Sequence, residues 1–128
     1  MENHKLFEVS QSAIIQNKDN NILILQKNGK WMLPGGRVEA NDKTWEQALR
    51  REVEEETGIK GFTIEKISEV GITDSGNAYI VVFVCKIDNV PEIKLSHEHQ
   101  EYEWLDLKEI DKYEFWHEKI KERLLNRF

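Results

Sequence analysis

Leu33-Pro34-Gly35-Gly36-Arg37-Val38-Glu39, and then, after a short polar loop, Thr44-Trp45-Glu46-Gln47-Ala48-Leu49-Arg50-Arg51-Glu52-Val53-Glu54-Glu55-Glu56-Thr57-Gly58-Ile59, decide how this chain is read. The stretch is a glycine turn, a loop and one helix dense in carboxylates. Thr44 is an N-cap residue, and Gln47 stands where a capping box takes Glu or Gln. Gly58 is a C-cap, with Ile59 behind it as the hydrophobic contact. The signals predict a helix from about Trp45 to Thr57. At about 100° per residue, Trp45, Ala48, Leu49 and Val53 define an apolar sector, and Glu52 and Glu56 fall within it. Glu55 lies on the same side. Gln47, Arg50 and Glu54 lie opposite and are the ordinary solvated residues.

Carboxylates turned toward a core are costly, and several together also repel each other. Arg51 can neutralise one of them. A hard divalent cation can neutralise the others, because oxygen ligands suit Mg²⁺ or Mn²⁺. A solvated acidic helix end is the plainer reading, but only Glu54 occupies the face a solvated acid would choose.

These residues resemble the signature box of the Nudix hydrolases. That pattern is a glycine, five residues, a glutamate, seven residues, then Arg-Glu-aliphatic-any-Glu-Glu-any-Gly-aliphatic. Gly36 opens it here, and Arg51 to Ile59 closes it without a mismatch behind Leu33-Pro34-Gly35-Gly36. There is one departure: Asp42 stands where the pattern has its first glutamate, and eight residues separate it from Arg51. Counting back from Arg51 puts Lys43 there. The extra residue lies in the loop before Thr44, so the helix register is intact, and the loop carboxylate is left out of the metal site.

The resemblance implies an α/β/α sandwich around a mixed sheet and hydrolysis of a nucleoside diphosphate linked to another group. It implies Glu52, Glu55 and Glu56 as metal ligands, with Glu55 also catalytic. Arg51 would orient one of these glutamates, and the Gly36 carbonyl would be a further ligand. The implied cofactor is Mg²⁺, with Mn²⁺ as a substitute. Similar proteins place a catalytic or metal-binding glutamate in a loop before a Trp-bearing strand. That position is Glu98 here, with Glu101 as the runner-up. His97 and His99 flank Glu98. With no Cys or third His nearby they read as loop residues, not as a transition-metal site. Arg37 is equally a phosphate contact or a solvated arginine. Phe7, Trp31, Tyr79 and Phe83 are candidates for an aromatic wall, and each also suits the core; Tyr79 and Phe83 are taken as substrate contacts.

Markers of substrate are sparse. The proline typical of ADP-ribose hydrolases is missing, with Asp74 near its place. Tyr79 comes late for the tyrosine of dinucleoside polyphosphate hydrolases, and no coenzyme A signature surrounds Pro34. The default is a nucleoside triphosphate or related nucleotide. The alternatives are a non-catalytic Nudix-fold nucleotide-binding module and an RNA 5′-end pyrophosphohydrolase.

The 128 residues suit one domain with a real core. The net charge of −6 argues against general nucleic-acid binding, since a polyanion selects a basic surface. No stretch reaches membrane-spanning length, and Met1-Glu2-Asn3-His4-Lys5 has no signal-peptide character. A lone cysteine, Cys85, in an apolar run reads as a buried inert thiol. The expectation is a cytoplasmic protein, monomer or homodimer, with a small-molecule nucleotide as partner and no membrane.

The rest of the chain reads as strands and one helix. Leu6–Ile15 and Ile22–Leu25 suggest a hairpin across the turn Asn17-Lys18-Asp19-Asn20-Asn21. Phe62–Ile72 has strand-forming residues in an irregular pattern. Tyr79–Cys85, apolar on both faces, reads as a central strand. Glu103-Trp104-Leu105 is a short strand. Asp106 or Asp111 can cap the segment after it. From Phe115, Trp116, Ile120, Leu124 and Phe128 are spaced for a C-terminal amphipathic helix.

Overall fold

The computed structural model describes residues 3–128; Met1 and Glu2 of the N-terminal stretch lie outside the described residues. Seven strands form one mixed sheet: β1 (Glu8–Gln16), β2 (Ile22–Lys27), β3 (Lys30–Met32), β4 (Gly35–Arg37), β5 (Thr63–Ile72), β6 (Ala78–Lys86) and β7 (Glu101–Leu105). The main path is β3-β2-β1-β6-β5, with β4 on β1 and β7 on β2. Helix α1 (Trp45–Thr57) covers one face, and a 3-10 helix (Leu107–Lys112) with α2 (Glu118–Leu125) covers the other. This is the expected α/β/α sandwich.

Strand β1 organises the sheet. It runs parallel to β6 from Glu8↔Ala78 to Gln16↔Lys86. Alternation along β1 sends Ala13 and Ile15 to the α1 side, where they meet Leu49, Val53 and Cys85. Ile14 goes to the α2 side and joins Ile22, Ile24, Ile110 and Leu124. Strand β6, paired on both edges and apolar on both faces, is central as expected.

The β1–β2 hairpin is only a turn. The pair touches at Gln16↔Ile22, and then the strands part. β2 takes β7 and β3 as partners. The edge of β1 freed by this split receives β4, at Ser10↔Arg37, Gln11↔Gly36 and Ser12↔Gly35. The Pro34 carbonyl joins this pairing, accepting the Ala13 N–H at 2.9 Å.

The C-terminal helix is shorter than its apolar spacing. It starts at Glu118, and Trp116 lies before it, donating its indole N–H to the Lys27 carbonyl. Asp106, not Asp111, caps the 3-10 helix through the Lys108 N–H. The irregular pattern of Phe62–Ile72 has a cause: β5 carries two bulges, between Ile64 and Lys66 and between Ile67 and Glu69.

Candidate active site

Helix α1 is held at both ends. Thr44 Oγ1 accepts the Gln47 N–H at 3.0 Å, and Gln47 reaches back to the N–H of Lys43 rather than of Thr44. Gly58 adopts the left-handed conformation, φ 79°, and donates to Glu54 O. Beyond it, the N–H groups of Lys94 and Ser96 bond the carbonyls of Thr57 and Glu56. Those carbonyls have no partner within the helix, so the loop before β7 satisfies them. That lacing brings the Glu98 loop to the carboxylate end of α1.

Glu56 is nearly buried, and its Oε1 accepts the Gly35 N–H at 2.8 Å. Desolvation raises its carboxyl to about 7, with the charges of Glu52, Glu98 and Glu55 adding to the shift. Glu52 is shifted up as well, by burial first. Its carboxylate lies against Gly36, where an added Cβ would overlap it. At Gly35 an added Cβ would overlap the Gln11 carbonyl oxygen instead. One glycine thus lets β4 dock on β1, and the next admits a carboxylate against the backbone. Trp45, placed by the wheel in the apolar sector, is half exposed and stacks on Phe83 with centroids 4.9 Å apart. Glu55 stands outside the buried pair, with its side chain 57 % exposed.

Arg51 is the hub. Its Nε and Nη2 donate to both oxygens of Asp42, at 3.0 and 2.8 Å. Nη2 also bonds the Arg37 carbonyl, and Nη1 donates to Glu52 at 2.9 Å and more loosely to Glu55. The Asp42 side chain is only 2 % exposed, and Arg51 beside it holds its carboxyl below the usual range. This accounts for the departure in the box: the longer loop brings a shorter carboxylate back to the arginine, and the Glu39 N–H fixes it from the other side. Both Asp42 oxygens are taken up by Arg51, which fits a positioning role. Asp42→Ala should lower turnover on the order of 10–100-fold by releasing Arg51 from Glu52. A Mg²⁺ titration checks this: the variant should need more metal to saturate, and an unchanged curve would remove the role.

Glu98 is exposed and close enough to Glu56 to raise its carboxyl. Glu101 lies on β7 opposite Gln26. His99 is not a plain loop residue. Its ring is buried, with Nε2 3.9 Å from Glu56 Oε2 and Nδ1 3.3 Å from Ser96 Oγ. Burial holds its pKa below the ordinary value, so it faces Glu56 as a neutral ring. No sequence signal separates it from His97, which is exposed. Among the described residues no group of three or more His, Cys, Asp or Glu side chains stands ready to hold a metal as placed. Glu55 lies beside Arg51 instead, its oxygens 3.3 and 3.4 Å from Nη1. Cys85 is buried and its thiol is pushed up to about 12, so it is inert.

A glycine-backed carboxylate pair and a clamped arginine therefore lie along one side of α1, with a loop acid close enough for its charge to act on Glu56. The model of the NUDIX domain family matches residues 6–125. The chain belongs to the NUDIX family. It is a hydrolase of the pyrophosphate bond. It is 36% identical over 124 residues to the ADP-ribose pyrophosphatase of Methanocaldococcus jannaschii, across 88% of this chain and 69% of that protein. The MutT protein of Methanosarcina mazei Go1 shares the fold with a TM-score of 0.76 at 27% identity, covering 96% of this chain and 94% of that one. An Ap4A hydrolase of C. elegans gives a TM-score of 0.75 at 25% identity, covering 91% and 93%.

Two clefts flank the NUDIX glycine strand. One, of about 720 Å³, is lined by Phe7, Glu8, Arg37, Thr73, Ser75 and Asn77 among others. Arg37 is exposed there and pairs with Glu8 at 3.3 Å. Tyr79 meets the Phe7 ring edge-on at 5.8 Å. The other cleft, of about 630 Å³, opens between Trp45 and β5. Phe83 lies at its floor, buried under Trp45, so Trp45 is the ring that faces outward. Trp31 is buried and packs edge-on against Tyr113.

Proposed function

We propose that residues 1–128 act as one divalent-metal-dependent pyrophosphohydrolase domain, cleaving a nucleoside diphosphate linked to another group. The default substrate is a nucleoside triphosphate or related nucleotide. One observation carries the metal reading. Glu52 and Glu56 are turned inward together, and Glu56 has only the Gly35 N–H and the neutral His99 for company. Arg51 reaches Glu52 but makes no bond to Glu56. Such a set of hard oxygen donors with surplus negative charge fits Mg²⁺, with Mn²⁺ as a substitute. Glu52 and Glu56 would hold the ion, with Glu55, Glu98 and the Gly36 carbonyl completing the set. When bound, it screens the phosphate charge and lowers the pKa of the attacking water.

The chain's own residues do the rest. Arg51, clamped by Asp42, orients Glu52. Glu98, on its laced loop, takes the proton of the water whose oxygen bonds to phosphorus as the bridging oxygen leaves. Arg37, exchanging Glu8 for a phosphate, holds the substrate in the cleft of Phe7, with Tyr79 behind that ring. A net charge of −6 favours a small nucleotide over a polynucleotide. The M. jannaschii and C. elegans relatives bear the names of different substrates, so the linked group is settled by assay. Against a non-catalytic module, Asp42 keeps hold of Arg51 despite the loop departure.

The test is release of phosphate or pyrophosphate from nucleoside triphosphates, nucleotide sugars, ADP-ribose and dinucleoside polyphosphates, with Mg²⁺, Mn²⁺ or chelator. Metal-dependent release that vanishes in Glu55→Gln is the expected result. Nucleotide binding without turnover across the panel would reject the enzyme reading. Within the active reaction, Glu98→Gln should cost ~10²–10⁴-fold in rate and flatten the acid limb of the pH profile. A profile of unchanged shape would transfer the base to Glu101.

A further inference from the structure

The loop that closes on the C-terminal end of α1 makes a small circuit around one glutamate. The Ser96 N–H donates to the Glu56 carbonyl at 3.3 Å, and the His99 N–H donates to the Ser96 carbonyl at 3.2 Å. This turn carries the His99 ring back to Glu56, where Nε2 lies 3.9 Å from Oε2. The other ring nitrogen, Nδ1, lies 3.3 Å from Ser96 Oγ. The ring is held in place, with its side chain only 1% exposed. The next residue is pinned to β2 and its turn: the Gln100 N–H donates to the Gln26 carbonyl at 2.9 Å, and Gln100 Oε1 accepts the Asn28 N–H at 2.8 Å. Glu98, one residue before the ring, is exposed. One turn therefore buries an imidazole behind Glu56 and leaves the neighbouring acid outside.

Position fixes which ring nitrogen carries the proton. A neutral imidazole has one donor and one acceptor, and the partner of one nitrogen sets the role of the other. Nε2 faces a carboxyl oxygen, while Nδ1 faces a hydroxyl that can turn either way. A bare Nε2 would set its lone pair against an ionised Glu56. With the proton on Nε2 both contacts are favourable, because the Ser96 hydroxyl then donates to Nδ1. Glu56 Oε1 already accepts the Gly35 N–H at 2.8 Å. His99 offers a donor to the second oxygen, and one donor per oxygen sets the plane of the carboxylate. We propose that Ser96 and His99 are positioning residues for Glu56: Ser96 fixes the Nε2–H tautomer, and His99 orients the carboxylate toward a divalent cation. At 3.9 Å the contact is open. A closure of about an ångström brings it to a charge-assisted hydrogen bond, the kind of tightening that loading a site produces. Ligands of a metal are commonly held from behind in this way. A ring that only filled space would need neither a hydroxyl at Nδ1 nor a carboxyl at Nε2. The inference rests on the reading of Glu56 as a metal ligand and is independent of which nucleotide is cleaved.

Two measurements on the full chain test it. Long-range proton–nitrogen NMR spectra in chelator, at about pH 8 and so above the ordinary histidine range, read the tautomer. His99 should carry its proton on Nε2, and Ser96→Ala should mix in the Nδ1–H form. Mn²⁺ binding followed by electron paramagnetic resonance, without substrate, reads the orientation of Glu56. His99→Phe should weaken that binding ~10–100-fold. His99→Gln, whose amide N–H reaches about as far as Nε2, should recover most of the loss, and Ser96→Ala should fall between. A wild-type ring protonated on Nδ1 would overturn the proposal. So would wild-type Mn²⁺ affinity in His99→Phe, or a His99→Gln chain that binds no better than His99→Phe. If the phenylalanine chain does not fold, a Ser96→Ala chain with unchanged tautomer and unchanged affinity overturns it. A wild type that binds no Mn²⁺ would instead strike the metal reading of Glu56, and this inference with it.

Discussion

Glu56→Gln should yield a protein that is more stable without metal and nearly inactive with it. The amide keeps an oxygen to accept the Gly35 N–H and loses only the charge. The carboxyl titrates at about 7 in the fold against an ordinary 4.5, so the fold binds its proton more tightly than the unfolded chain does. That difference sets the sign. Below about pH 4.5 the residue is neutral in both states and carries no penalty. From there to about 7 the unfolded chain ionises first, and stability is lost as pH rises. Above 7 the whole cost is present, on the order of 3 kcal/mol. In chelator at pH 8, the melting temperature of Glu56→Gln should therefore exceed that of wild type by several degrees. The gap should close toward pH 4.5. Added Mg²⁺ should raise the wild type and leave the variant unmoved, since binding to the folded state stabilises by mass action. Turnover should fall on the order of 10²–10³-fold. Identical melting curves in chelator across this range would show that the buried charge costs the fold nothing.

Gly36→Ala should separate site from scaffold. The added methyl enters the space of the Glu52 carboxylate, which can swing away because it ends a flexible side chain. The fold should lose only ~1 kcal/mol. Displacing a ligand by about an ångström costs on the order of 10²-fold in rate. Gly35→Ala does the reverse. Its methyl meets the backbone of Gln11 and Ser12, which cannot yield without undoing the β1–β4 pairing. Its main effect should be on stability, by ~1–3 kcal/mol or more. Melting temperature and kcat measured on both variants check the contrast. A Gly36→Ala enzyme at wild-type rate would mean that Glu52 does not work from the position it occupies.

Much of the site can be read along the chain because it is local. Thr44 and Gly58 delimit α1 through bonds to residues three or four positions away. The three-residue and four-residue offsets within Arg51–Glu56 bring the carboxylates to one side of a single helix. The central place of β6 comes from its two apolar faces. The same locality misleads where neighbours come from afar. Trp45 sits in the apolar sector of the wheel, but only one face of its ring stacks on Phe83 and a cleft opens between it and β5, so half its surface stays wet. Asp42 looks like a defect in a motif until the loop folds back and delivers it to Arg51.

The amino-acid order by itself determined α1 with both its caps, the segments of β1, β2, β5, β6 and β7, the membership of Glu52 and Glu56 on a core-facing side, and the family resemblance. Tertiary structure alone decided the parting of β1 and β2 that seats β4, and the bulges that turn Ile67 and Val70 to one face. It also decided the burial of His99 against Glu56. Each of these depends on which backbone edge remains unpaired once other strands have docked. That competition among distant hydrogen-bonding partners leaves no periodic trace in the chain.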